Sequence, residues 1–461
     1  MAEIFSLMKF ELLVTAILLI LILIKIGRGM GNETVLKIVN VLLLVNFAAG
    51  FFGNAAGSLF SGMFHTSPLI AFEKNILNLG ILIISMQSYD WLKNHKHLPE
   101  FFMLLLSCIL GMFFLISSGN FLIFFLGLEL STIPLAALCN FDLEKRTSSE
   151  AAMKMIMSSA FSSAILLLGI SLMYGATGTI NFSELPQHLD GSPLQVFSFI
   201  MLFTGFAFKL SAVPFHLWTA DVYEGSPVAV TAFLSVISKG SIVFIFITAL
   251  YNVFRPMFGL WYDVLFIASV FTIVIGNLFA LRQNNIKRFL AFSSIAQVGF
   301  ILIGISSGTA LGISSAIYFI LIYIFSNLGA FGVVSVISSM TGKENISDYK
   351  GLYKTNPFLS WILTLSLFSL AGIPPTAGFF GKLFLLTSGV SNEKRNYLLI
   401  TIAALNMIIS LYYYLKIVRA IFMDKNENPV ERIQGSMTGN LALIICAAGI
   451  VVVGLMSNIF Q

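Results

Sequence analysis

Fourteen apolar runs, each long enough to cross a bilayer as a helix, divide this chain from end to end. They lie at about 4–25, 35–53, 69–89, 100–118, 120–138, 151–174, 194–220, 228–251, 261–281, 288–306, 311–338, 357–388, 397–423 and 438–459. A bilayer core about 30 Å thick needs roughly 18 or more apolar residues at the 1.5 Å rise of a helix. In lipid the backbone must satisfy its own polar groups, so such runs are helical. The expected fold is therefore all-α and integral to the membrane, one bundle of about fourteen transmembrane helices. Of the 461 residues, 57% are hydrophobic and only 10% charged, where a soluble domain carries about 25% charged residues. Mean hydropathy is +0.93. The polar stretches between runs are too short for a separate soluble domain.

Several function classes have no support. The net charge of +5 is spread among short loops and makes no nucleic-acid patch. Cys108, Cys139 and Cys446 are far apart in apolar segments and offer no CxxC or cluster ligands. No GxGxxG follows a strand and no P-loop is present. A soluble-substrate enzyme would need a nucleophile–base set in a cleft, and none is visible. The first run carries Glu3, Lys9 and Glu11 and lacks a basic leader and a small-residue cleavage site, so it reads as a retained helix.

The loops give an orientation. Odd-numbered loops hold Lys25, Arg28 and Lys37, then Lys93 and Lys96, Lys145 and Arg146, Arg282, Lys287 and Arg288, Lys343, Lys350 and Lys354, and Lys425 and Arg432. Even-numbered loops hold only Lys74, Arg255, Lys394 and Arg395. The positive-inside rule puts odd loops in the cytoplasm and both termini outside. The seventh loop, with Asp221 and Glu224, carries no Lys or Arg and does not bear on the rule.

An internal repeat is expected. Pro214 interrupts the seventh segment, and Pro374-Pro375 the twelfth, 160 residues on. The same offset carries Phe101, at the start of the fourth helix, onto Trp261, at the start of the ninth. Ile180-Asn181-Phe182-Ser183-Glu184-Leu185 echoes Ile346-Ser347-Asp348-Tyr349-Lys350. Helices 4–8 and 9–13 then form two units of five. Five is odd, so consecutive copies enter from opposite faces. Broken segments at matching places in two inverted halves are the best sequence pointer to an ion site. The expected division is an N-terminal three-helix segment over 1–99, one unit over 100–255, a second over 256–425, and a C-terminal helix over 426–461.

Intramembrane charges are costly and usually face a bundle interior or a wet cavity. Glu129 lies at the middle of the run 120–138, and Lys239 at the middle of 228–251, flanked by Ser238 and Gly240. No helix end is near enough for Lys239 to snorkel. Lys209 stands five residues before Pro214, where a kink frees backbone carbonyls for partners or water. Lys382 follows Pro374-Pro375 and is nearer a helix end, so snorkelling competes with function there. His216, two residues past Pro214, has a side chain suited to proton transfer. Lys154 sits about one turn into the sixth helix, where snorkelling is an equal reading. Glu73 and Lys74, near the outer end of the third helix, read as interfacial. One acid and three lysines in one bundle form a chain of titratable sites.

At these residues the sequence resembles a known family. Gly205-Phe206-Ala207-Phe208-Lys209-Leu210-Ser211-Ala212-Val213-Pro214-Phe215-His216-Leu217-Trp218 runs on through Asp221-Val222-Tyr223-Glu224-Gly225-Ser226-Pro227 to Thr231-Ala232-Phe233-Leu234-Ser235. With Asn285-Ile286-Lys287-Arg288-Phe289-Leu290-Ala291-Phe292-Ser293-Ser294-Ile295-Ala296 and Leu370-Ala371-Gly372-Ile373-Pro374-Pro375-Thr376-Ala377-Gly378-Phe379-Phe380-Gly381-Lys382, it is similar to the N subunit of bacterial NADH:quinone oxidoreductase (respiratory complex I), an antiporter-like, proton-conducting family. The likeness runs from about the fourth helix to the thirteenth, with the first three helices divergent.

The resemblance implies two inverted five-helix units with the seventh and twelfth helices broken. It implies proton transfer through Glu129, Lys209, His216, Lys239 and Lys382, with Glu129 paired to Lys209, His216 linking toward Lys239, and Lys382 on the exit side. Gln297 stands where many relatives carry His, so a relay there would use water. The resemblance also implies no cofactor and no metal in this chain, with NADH, FMN, iron–sulfur clusters and quinone in partner subunits. Implied partners are the other complex I membrane subunits, especially a neighbouring antiporter-like subunit and small K/J-type subunits, and the lipid of a bacterial inner membrane. Rival readings are a subunit of a multi-subunit Na⁺/H⁺ antiporter, the similar L and M subunits, a membrane-bound hydrogenase-type complex, a stand-alone transporter or a scaffold. The segment Trp218-Thr219-Ala220-Asp221 differs from the Trp-Leu-Pro-x-Ala-His of several rivals and favours the N type. Midplane charges argue against a scaffold.

Overall fold

The computed structural model describes residues 2–27, 30–53, 55–390 and 394–457, and for 2 and 394–396 only the backbone. Arg28 lies outside them, as do the side chains of Lys394 and Arg395. Among the described residues the chain forms fourteen helical segments, twelve of them with a helix long and apolar enough to cross a membrane. They are α1 (Lys9–Ile26), α2 (Asn32–Ala49), α3 (Pro68–Gln87), α4 (Leu98–Ile116), α5 (Phe121–Cys139), α6 (Arg146–Thr177), a broken α7 (α7a, Pro193–Leu210; α7b, Leu217–Gly225) and α8 (Val228–Val253). Then come α9 (Phe258–Ala280), α10 (Ile286–Ser306), α11 (Ala310–Thr341), a broken α12 (α12a, Pro357–Ala371; α12b, Ala377–Ser388), α13 (Lys394–Phe422) and α14 (Met437–Leu455). The first run is not one helix: Ala2–Leu7 forms a separate short helix before α1. One small departure from all-α order is a hairpin of Gly57–Leu59 with Phe64–Thr66, whose Phe64 also bridges to Ser118. Asp221 and Glu224 lie inside α7b rather than in a loop, because the helix resumes after the break and runs to Gly225.

The two units share local detail. α5 begins at the Asn120 cap, whose side chain accepts from Ile123 N–H, and α10 at Asn285, which accepts from Lys287 and Arg288 N–H. Each cap pairs with a second asparagine, Asn120 with Asn181 and Asn285 with Asn345. α6 and α11 each run 32 residues and end at a left-handed glycine, Gly178 and Gly342. The echo after these helices therefore aligns Asn181 with Asn345, a shift from the match of Ile180 to Ile346. Close backbone approach holds α4 to α5: a Cβ on Gly111 would meet Ser131 N at 2.4 Å, and one on Gly127 would meet Leu115 N at 2.6 Å.

The breaks match too. α7a ends with Ser211 at φ 63° and α12a with Gly372 at φ 84°, both left-handed. Ala212 N–H then donates to Ala207 O (2.8 Å), and Ile373 N–H to Phe368 O (3.0 Å), the six-to-one bond of a Schellman ending. Counted from these residues, Pro214 corresponds to Pro375 rather than Pro374. Leu370 then stands at the place of Lys209, and Lys382 at the place of Asp221.

Candidate functional site

The three central lysines are all buried, at 6, 2 and 1% exposure for Lys209, Lys239 and Lys382. Each has a defined partner. Lys209 on α7a donates to Thr132 Oγ1 on α5. Glu129, one turn before Thr132, makes no ion pair with Lys209, and its Oε1 is buried without a hydrogen-bond partner among the described residues. In place of the expected Glu129–Lys209 contact, Lys209 meets a hydroxyl on the same helix face, which itself donates to Leu128 O.

Lys239 donates to Ser294 Oγ on α10 at 2.8 Å and lies 5.7 Å from the ring centroid of Tyr223 on α7b. α8 is continuous but not uniform. A π-helical turn over Leu234–Ser238 delivers Lys239, and such turns re-aim side chains, often at functional sites. Ser235, inside that turn, accepts from Asn327 of α11 at 2.8 Å.

Lys382 does not snorkel. It turns back into the α12 break and donates to Leu370 O (2.7 Å) and Ala371 O (3.3 Å), with its ammonium 5.0 Å from the Phe300 ring centroid. Those carbonyls end α12a and have no intrahelical donor. Gln297 on α10 donates to the same Leu370 O at 3.0 Å and to Tyr414 OH at 3.3 Å, and Tyr414 OH meets Ser293 Oγ at 2.5 Å. On α10, Ser294 meets Lys239, while Ser293, Tyr414, Gln297 and the Leu370 carbonyl form a separate run that reaches Lys382; among the described residues no hydrogen bond joins the Ser293 and Ser294 side chains. His216 is 6% exposed at the start of α7b, with Nδ1 unpartnered; no hydrogen bond ties it to either neighbouring lysine among the described residues.

Thr132, Ser293, Ser294, Tyr223 and Tyr414 were not singled out by the charge pattern. Thr132 could have been found from its three-residue spacing to Glu129. The serines lie in a quoted motif, and nothing in the sequence marks Tyr414.

Two other charged groups depart from expectation. Glu73 and Lys74 are not interfacial: both are buried, and Lys74 pairs with Glu11 of α1 at 2.5 Å. α3 is wrapped by α2, α8, α11 and α14, so depth along the helix did not translate into exposure. Losing one partner of such a pair costs about 3–5 kcal/mol, because a buried charge is left alone. Lys154 is half-exposed but not loose. It bridges Glu150 (2.7 Å) and Asp221 (2.6 Å), while Arg288 joins Asp221 (2.6 Å) and Glu224 (2.9 Å), so α6 and α10 both clamp α7b.

Residues 118–410 match the family described as NADH:quinone oxidoreductase/Mrp antiporter, transmembrane region. Over 460 residues, covering 98% of this chain and 97% of the relative, the sequence is 46% identical to NADH-quinone oxidoreductase subunit N of Phocaeicola vulgatus. The chain belongs to the NADH-quinone oxidoreductase subunit N family. That match takes in the first three helices as well, where the quoted motifs gave no likeness. Among solved structures, the subunit N fold aligns with a chain of respiratory complex I from Thermus thermophilus with bound aureothin, at TM-score 0.82 and 27% identity over 97% of each chain. It aligns also with a chain of the Mrp complex from Dietzia sp. DQ12-45-1b, at TM-score 0.87 and 20% identity over 98% of this chain and 94% of that one, a likeness of fold. This subunit N chain is a multi-pass membrane protein.

Proposed function

We propose that this chain conducts protons as the N subunit of a respiratory complex I, coupling NADH:quinone electron transfer in partner subunits to H⁺ movement through its own buried groups. The observation that carries this reading is the row of three buried lysines, each held by a hydroxyl or a freed carbonyl, with α10 supplying Ser294 to Lys239 and Gln297 to the carbonyl that Lys382 caps. Buried ionisable groups in a membrane bundle mark ion pathways. Glu129, Lys209, His216, Lys239 and Lys382 are the proton-transfer residues on this reading.

Each lysine can exchange a proton as neighbouring charge moves. When the Glu129 carboxylate faces Lys209, the ammonium is favoured there; withdrawal of that charge releases the proton. The hydroxyls of Thr132 and Ser294 both donate and accept, so they can pass a proton as well as hold an amine. Lys382 completes the row, where its ammonium caps α12a. Functionally the chain divides into a three-helix segment (1–99), two five-helix units (100–255 and 256–425) and a last helix (426–461).

The reading is tested by coupling. In vesicles holding the assembled complex, Glu129→Gln and Lys209→Met should each lower proton uptake per quinone reduced, and the double variant should do little more harm than either alone. Strictly additive losses would break the pairing of these two groups.

The same reading places the protein in a bacterial inner membrane with both termini on the periplasmic side, from the Lys and Arg of the odd loops. Single cysteines in the 93–96 loop should resist an impermeant thiol reagent in intact cells, and those at 184–190 should react. The reverse pattern would invert the topology.

A further inference from the structure

Two helix ends at the boundary between the units carry charge of the sign their dipoles disfavour. The first turn of α10 holds Lys287 and Arg288 and no acid, where a helix N-terminus favours negative charge. The end of α7b holds Glu224 and no base, where a C-terminus favours positive charge. Each end offsets the other. Arg288 Nη1 meets Asp221 Oδ1 at 2.6 Å and Glu224 Oε2 at 2.9 Å, and Lys287 Nζ donates at 3.2 Å to the carbonyl of Ser226, which follows α7b. Lys287, 5% exposed, also pairs with Glu344 at 3.0 Å, just past the end of α11. Counted from the asparagine caps, the matching residues of α5 are Leu122 and Ile123, both apolar.

These contacts bear on Lys239. Among the helices of the first unit, α7b is the one on which α10 packs most extensively. α7b is tied in turn to α8: Ser226 and Pro227 alone separate them, and Thr231 Oγ1 donates to Tyr223 O at 3.0 Å. Lys287 and Ser294 share one face of α10 by their i, i+7 spacing, about 10 Å apart along the axis. The first turn of α10 grips the end of α7b. Two turns deeper, Ser294 Oγ accepts from Lys239 Nζ at 2.8 Å, with the Tyr223 ring centroid 5.7 Å from the same ammonium. The ion pairs and the lysine site are thus two levels of one contact between α10 and the α7b–α8 pair.

We propose that Arg288 is a positioning residue for Lys239, holding the Ser294 hydroxyl of the second unit on the lysine of the first, which rests on the proton-conducting reading above. Arg288 makes no hydrogen bond to either group among the described residues. It acts by fixing α10 against α7b, and Lys287 supports it through the Ser226 carbonyl. An isolated ion pair at a rim does little, but here Lys154, Asp221, Arg288 and Glu224 form one network. Without Arg288, Asp221 keeps Lys154 of α6 at 2.6 Å, so the loss falls on the contact between the units. α10 then gives up its charged hold on α7b, and Ser294 its register with Lys239.

Proton uptake per quinone reduced, measured in vesicles holding the assembled complex, tests this. Arg288→Gln should lower it, and Arg288→Lys, which keeps a cation able to donate to both acids, should retain most of it. Ser294→Ala should lower it too. In the Ser294→Ala background Arg288→Gln should add little, because both act on the one contact with Lys239. An arginine that only stabilised the fold would add its full loss there. A normal ratio in Arg288→Gln or in Ser294→Ala, or strictly additive losses, overturns the proposal. If Arg288→Gln fails to assemble, Glu224→Gln, which removes one of its two acids, takes its place in the same cycle with the same outcomes. Lys239→Ala run alongside separates the two readings. Normal pumping there defeats the proton-conducting role of Lys239 itself, whereas impaired pumping there with a normal ratio in Arg288→Gln defeats only the role of Arg288.

Discussion

α5 and α10 start from equivalent asparagine caps, and nine residues later one presents Glu129 and the other Ser294. Twelve residues from the cap they present Thr132 and Gln297. Of these four, Thr132 and Ser294 are partners of central lysines, and Gln297 shares the Leu370 carbonyl with Lys382. Lys209 of the first unit meets Thr132 within that unit, with Glu129 one turn away, while Lys239 of the same unit crosses to Ser294 of the second. The second unit has kept the geometry and given up the acid. A shared scaffold thus supplies one site where negative charge controls a lysine and one where only a neutral hydroxyl does. On the proposed reading, the seam between units is where a proton passes from one kind of site to the other.

The broken helices differ in the same spirit. Both end in a left-handed residue and a six-to-one bond, but the freed carbonyls are treated differently. In α7 the Trp218 indole N–H donates to Phe208 O at 3.2 Å, and Lys209 is left to face α5. In α12 the lysine itself caps the break. Protonation of Lys382 is therefore tied to the geometry of its own helix, and protonation of Lys209 to a charge on a neighbour.

The largest effect expected from this contrast is on stability. Lys382→Met leaves Ala371 O without its lysine donor and Leu370 O with Gln297 alone, and should lower the stability of the complex by about 1–3 kcal/mol. Lys209→Met removes no backbone cap and should leave thermal unfolding of the detergent-solubilised complex nearly unchanged while impairing pumping. Equal destabilisation by the two would erase the distinction between a capping lysine and a charge-facing one.

A smaller effect separates the left-handed residues. Ser211 adopts φ 63° with a side chain that disfavours it, whereas Gly372 at 84° pays no such strain. Ser211→Gly should be neutral or stabilising by up to about 1 kcal/mol, and Gly372→Ala destabilising by about 1–2 kcal/mol in the same unfolding measurement. A destabilising Ser211→Gly would mean that the serine hydroxyl, not the backbone, matters there.

Much of this arrangement was legible in the chain. Apolar length gave the series of fourteen helical segments, and the prolines gave both breaks, because lipid and the missing proline N–H leave the backbone few choices. Glu129 and Lys239 stood out because no helix end was near. The repeat register was harder. Pro374 and Pro375 are adjacent, and only the left-handed residues at Ser211 and Gly372 tell which of them answers to Pro214. Burial of Glu73 and Lys74 was hidden because sequence reports depth along a helix but not what surrounds it. The same limit applied to Lys382, whose distance from a helix end said nothing about the carbonyls behind it. Tyr414 joins the row of lysines only through packing of α13 against α10, which no local pattern encodes.

The central claim, that protons pass through buried lysines bridging the two units, is tested most directly at Lys239. Its ammonium is the one that crosses from the first unit to Ser294 of the second. In vesicles containing the assembled complex, Lys239→Ala should strongly reduce proton uptake, and quinone reduction with it where the two are tightly coupled. Lys239→Arg should not restore it, because a guanidinium keeps its proton. An assembled Lys239→Ala complex that pumps at the wild-type rate would contradict the account.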